Sequence, residues 1–115
     1  MTNIEALTQA GIDYDGALDR FGGNAALYLK LAAKYLDDAH FTALEAALAN
    51  DDTATAESEA HALKGVAGNL SFAVLYDQAK AINDLLRAGN VAGAKALLPE
   101  AKAADERIRE ALATL

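Results

Sequence analysis

The stretch Thr53-Ala54-Thr55-Ala56-Glu57-Ser58-Glu59-Ala60-His61-Ala62-Leu63-Lys64-Gly65-Val66-Ala67-Gly68-Asn69-Leu70 decides the fold. Its residues Ala56, Ala60, Leu63, Ala67 and Leu70 recur at steps of 4, 3, 4 and 3. That spacing lines one face of an α-helix. Asp52 or Thr53 stands where an N-cap is needed. Alanine at many of the stripe positions lets neighbouring helix axes come close.

Working outward, the same period recurs. Downstream, Leu75, Ala79, Ile82 and Leu86 step by 4, 3 and 4. A last helix carries Leu97, Ala101, Ala104, Ile108, Ala111 and Leu115, and Pro99 within it is expected to kink it or to mark its true beginning. Upstream, Phe41, Leu44 and Leu48 form an apolar face that ends at Asn50, with Asp37-Asp38 as a break or bend before it. Asn50-Asp51-Asp52 and Gly89-Asn90 supply the turns. Nearer the start, a first helix from Ile4 to Gln9 ends at Gly11, and a second, capped by Asp13, runs through Phe21. Gly22-Gly23 stops it, and Asn24 caps a third helix with Leu27, Leu31 and Tyr35 on its apolar side, Tyr28 and Leu36 beside them. The expectation is an all-α chain. Residues 37–115 form an antiparallel up-down four-helix bundle with short turns, and residues 1–36 form additional short N-terminal helices that cap one end.

The chain has 115 residues, which is one domain on a length prior of roughly 100–200 residues. It has no Cys, so disulfides, Cys-ligated zinc and thiol catalysis are excluded. Asp plus Glu number 17 against 10 Lys plus Arg, a net charge of -7. An acidic surface repels nucleic acid and anionic lipid, so neither is expected as a partner. No window approaches the roughly 20 apolar residues of a membrane helix. The start Met1-Thr2-Asn3-Ile4-Glu5 has no basic opening and no apolar run, so no secretory leader is expected and the expected location is the cytoplasm. No phosphate-binding glycine loop follows a strand pattern.

With only two His, few side chains can do chemistry. At about 100° per residue, His61 points well away from the apolar stripe. Lys64, Gly65 and Gly68 follow it on the outward face at i+3, i+4 and i+7. Each glycine inside a helix costs roughly 1 kcal/mol relative to alanine. In a chain that uses alanine freely, two glycines beside one outward His are not a choice for helix stability. They lower the surface around the imidazole and let a bulky partner approach it. Lys64 can neutralise negative charge held on the ring. His40, near Asp37-Asp38 with no glycine setting, reads as an ordinary surface residue. A metal pair of His40 with His61 lacks placed carboxylates.

The segment Ala60 to Leu70, with His61-Ala62-Leu63-Lys64-Gly65 at its centre, resembles the signature of histidine-containing phosphotransfer (HPt) domains. Gly11-Ile12-Asp13, Arg20-Phe21-Gly22-Gly23-Asn24, Leu27-Tyr28 and Leu97-Leu98-Pro99 resemble other parts of such domains, so the likeness spans most of the chain. The resemblance implies one HPt domain over residues 1–115. It implies a phosphorelay carrier of two-component signalling, with His61 as phosphoacceptor. The phosphoryl group comes from an aspartyl phosphate of a receiver domain and passes to the Asp of another receiver. Lys64 matches the lysine that offsets phosphate charge, and Gly65 the small residue that gives the receiver access. Asn83 matches a polar side chain set against the imidazole. Gly68 and Phe72 fall to the docking patch. The sequence departs from the family in three places. Leu70-Ser71-Phe72 stands where Leu-Gly-Ala is common, Asn83 is shorter than the usual Gln or Glu, and His40 stands where many relatives have Pro.

Neutral imidazole has one free lone pair to attack phosphorus, and exposure favours Nε2. In-line phosphoryl transfer needs positioning and charge neutralisation more than covalent machinery. The motif offers one cation and no carboxylate cluster. The chain is therefore expected to bind no cofactor, with Mg²⁺ brought by the receiver domain, and to have no independent catalytic activity. Expected partners are response-regulator receiver domains and a hybrid histidine kinase, met as a monomer. Two other readings stay open: the phosphoacceptor domain of a chemotaxis-type kinase charged from ATP, and a helical bundle that only binds a partner.

Overall fold

The computed structural model describes residues 2–115. Seven α-helices follow one another: α1 (Asn3–Gln9), α2 (Tyr14–Arg20), α3 (Ala25–Ala33), α4 (His40–Ala49), α5 (Thr53–Asn69), α6 (Ala73–Arg87) and α7 (Val91–Leu112). A 3-10 turn, Lys34–Asp37, joins α3 to α4. The starts are set by side-chain caps. Asp13 accepts from the Gly16 N–H, Asn24 from Leu27, Asp52 from Thr55 and Asn90 from Gly93. Each cap satisfies an N–H that the first turn leaves without a partner.

The long helices close into a ring. Helix α5 packs between α4 and α6, and α7 packs on α6 and α4. Three-residue turns force each neighbour to run antiparallel, which gives the expected up-down four-helix bundle. Ala56, Ala60, Leu63 and Ala67 of α5 meet Leu75, Ala79 and Ile82 of α6 and Ala101, Ala104 and Ile108 of α7 in a core with no exposure. Burial of this stripe is the main force holding the helices together.

Four details of the sequence reading change. Helix α7 begins at Val91 and continues through Pro99, which marks neither start nor stop. Pro99 and Lys95 both lie on the exposed face, so water can serve the carbonyl that proline leaves unbonded. On α3 the buried side carries Tyr28 and Ala32, and Tyr35 follows in the 3-10 turn, while Leu27 and Leu36 are exposed. Leu115, placed on the apolar face of the last helix, lies beyond its end and is exposed. Phe72, expected in the docking patch, has no exposed surface and stands edge-on to Tyr35, ring centroids 5.2 Å apart. The cause is local. Helix α5 stops at Asn69, and Ser71 takes a left-handed φ of 58° that turns Phe72 inward.

The N-terminal helices cover the end of the bundle where α5 turns into α6. The Tyr28 hydroxyl donates to the Leu70 carbonyl at 2.5 Å, the Asp13 N–H to the Ser71 carbonyl at 2.8 Å, and the Val74 N–H to the Gly11 carbonyl at 3.2 Å. Burial, with Tyr14 and Asp13 nearby, pushes the Tyr28 hydroxyl well above the usual tyrosine range, so it remains a proton donor. Gly11 has φ +86°, and a Cβ there would lie 2.6 Å from Val74 Cγ2, so this close approach requires glycine. A second clasp joins the 3-10 turn to α7. Buried Asp105 accepts from the Tyr35 hydroxyl at 2.5 Å and from Arg109 Nε at 2.9 Å. Arg109 also donates to the carbonyls of Leu36 and Asp38 and lies 4.6 Å over the Tyr35 ring.

Candidate functional site

The helix that carries His61 is fixed on its inner side by four residues without exposure, Ala56, Ala60, Leu63 and Ala67. That anchoring leaves the outer side to be shaped freely. His61 is exposed there, as the sequence predicts, and so is Gly65 one turn later. A Cβ built on Gly65 would meet nothing within 4 Å. No intramolecular packing therefore requires glycine at this position, and the missing side chain leaves open space next to His61. Gly68 differs, because a Cβ there would approach Tyr76 at 3.3 Å. Lys64 is half-buried on the same side of the helix and makes no ion pair with a described residue.

His61 opens onto a groove of about 480 Å³ shared with Glu57, Ser58, Asn83 and Arg87. The structure thus brings Asn83 of α6 to the same groove as His61. Asn83 is nonetheless only 1% exposed, and its Nδ2 donates to the Glu57 carbonyl at 3.1 Å. That carbonyl stands one turn before His61 on α5. With the amino group held there, the Asn83 carbonyl oxygen must point elsewhere, and it is a buried acceptor with no partner among the described residues. Unpaired buried acceptors are uncommon and call for an explanation. Arg87, one turn beyond Asn83, is a cation on the groove that sequence reading passed over. Its signal was available, since Asn83 and Arg87 are four apart on one helix and so share a face.

A second groove, of about 520 Å³, begins at Lys64 and Gly65 and runs toward Tyr76 and Asp77. His40 lies elsewhere, half-buried between α4 and α5, where its Nδ1 is 2.7 Å from Glu59 Oε2. The pairing joins two helices, so His40 is more than an idle surface residue. Among the described residues no group of three or more His, Asp or Glu side chains is placed to hold a metal ion. None of the described helices is long and apolar enough to cross a membrane.

A family model described as Hpt domain matches residues 31–115, from within α3 to the end of the bundle. The chain belongs to the Hpt domain family. No curated protein and no solved structure matches it. As an Hpt domain it is a histidine phosphotransfer module of two-component signalling, and its partners are receiver domains of response regulators. Hpt domains carry a phosphoryl group and are generally not catalysts on their own. The all-α bundle is the one this family implies, with His61 on the second bundle helix, α5. The match leaves residues 1–30 outside, although the connection between α1 and α2 is fastened to the α5–α6 end of the bundle.

Proposed function

We propose that His61 is the phosphoacceptor of a phosphorelay carrier, taking the group from one receiver domain and passing it to another. The observation that carries this reading is the exposed imidazole beside Gly65, where an added Cβ would touch nothing. The exposed ring presents Nε2 to the partner. Its lone pair forms the P–N bond as the acyl phosphate P–O bond of the partner's aspartyl phosphate breaks. The bonding pair returns to that carboxylate. Transfer to the second receiver runs the same exchange in reverse.

Little more than position and charge is needed for a loose phosphoryl transition state. Lys64 supplies positive charge on one side of His61 and Arg87 on the other. Asn83 is the group we assign to orient the ring. Its unpaired carbonyl oxygen is a natural acceptor for the Nδ1–H, which would leave Nε2 as the free lone pair. The receiver brings Mg²⁺ and the remaining catalytic groups, so the chain acts as substrate and carrier and turns nothing over by itself. Gly65 and Gly68 give the receiver its close approach.

His61→Gln should keep the helical circular dichroism of the parent and accept no label from a phosphorylated receiver domain, whereas the parent is labelled within the same incubation. Label on the variant would remove His61 from this role.

A further inference from the structure

The groove that starts at Lys64 and Gly65 has a wall that comes from outside the family-matched region. Asp13 and Arg20 line it from the N-terminal segment, and Tyr76 and Asp77 line it from α6. The wall is held in place by the backbone bonds of Asp13 and Gly11 to the α5–α6 corner and by the Tyr28 hydroxyl. Arg20 adds its own bond, donating one N–H to the Gly68 carbonyl. A guanidinium has five N–H donors, so four remain. Arg20 is exposed and makes no ion pair with a described residue. Two cations without ion-pair partners, Arg20 and Lys64, therefore line one groove of a protein whose net charge is -7, together with two carboxylates, Asp77 and Asp13, the latter engaged as the cap of α2. The groove is continuous with the open space at Gly65, one turn from His61.

We infer that Arg20 is a partner-selecting residue, and that this groove seats a contact segment of the receiver domain that presents a carboxylate to Arg20 and Lys64. The inference rests on His61 being the phosphoacceptor. A charge on the rim of an interface sets encounter rate and register more than intrinsic chemistry. The N-terminal helices then choose which receiver docks, while α5 performs the same chemistry for any that does.

The test uses the full chain and two phosphodonors. One is the receiver domain of the source genome that charges the parent fastest. The other is phosphoramidate, which needs no docking. Arg20→Glu should slow transfer from the receiver by at least about tenfold at low salt, with the difference shrinking as ionic strength rises. Arg20→Lys should stay within about twofold of the parent. All should be labelled on His61 by phosphoramidate at the parental rate. If Arg20→Glu does not fold, Arg20→Gln is read in the same way, since it keeps an N–H for the Gly68 carbonyl and loses the charge. Parental transfer from the receiver in a charge-removed variant overturns the inference, as does an equal slowing with both donors. A parent that neither donor labels overturns the His61 reading itself, which is a distinguishable failure.

Discussion

On α5, Ala56, Ala60, Leu63 and Ala67 have no exposed surface, while His61, Lys64, Gly65 and Gly68 on the other side stay at least partly exposed. The inner residues are those a helix packing closely against two neighbours would select. The outer ones are not what a solvated helix would select, since glycine there loses helix propensity and the open space at Gly65 returns no contact for it. Stability therefore resides on one side of the helix and the proposed partner access on the other, and substitutions on the two sides should separate these properties.

Leu63→Ala should show the largest effect. It empties a site without exposure and should lower stability by about 3 kcal/mol, read as an earlier denaturant midpoint. Phosphotransfer per folded molecule should be unchanged. Gly65→Leu should do the reverse. Its Cβ meets open space, and leucine is the better helix former by about 0.8 kcal/mol, so the midpoint should hold or rise. Transfer from a receiver should be blocked. A Gly65→Leu variant that is less stable yet still transfers would break the contrast between the two faces.

Local signals in the sequence located much of this architecture. Asp13 and Asn24 cap the helices that follow as predicted, Asp52 takes the cap position that it shared with Thr53 in the sequence reading, and Asn90 of the predicted Gly89-Asn90 turn caps the last helix, because a cap and the N–H it accepts from are three residues apart. The buried stripes of α5 and α6 and the outward His61 follow from the 3.6-residue period alone. What escaped was long-range. Asp105 carries no local mark of burial, yet it is buried and accepts from Tyr35, which precedes it by 70 residues. Arg20 joins the groove through Gly68, which is 48 residues away. Such partners leave no trace in local spacing. Phe72 is misplaced for a different reason: without a glycine after Leu70, nothing in the sequence marks the helix end, and Phe72 turns inward beyond it.

That helix end offers the smallest and sharpest test. The Phe72 N–H donates to the Ala67 carbonyl at 2.9 Å and the Ser71 N–H to the Gly68 carbonyl at 3.3 Å. These are the two bonds of a helix terminus whose left-handed residue is usually glycine. Here Ser71 holds that conformation with φ 58°, a conformation that costs a residue with a Cβ roughly 1–2 kcal/mol. Gly65 and Ser71 thus invert the local preference six residues apart, with glycine inside the helix and a side chain at its left-handed end. Ser71→Gly relieves the Cβ strain but adds about 0.5–1 kcal/mol of unfolded-chain entropy, so the net gain should lie between about 0 and 1.5 kcal/mol. The midpoint should move slightly upward and Phe72 should stay in the core, with His61 transfer at the parental rate. A loss of stability would mean that the serine side chain contributes to the corner where the Asp13 N–H meets the Ser71 carbonyl. The helix end would then depend on the N-terminal segment, and the separation of stability from access would fail at this position.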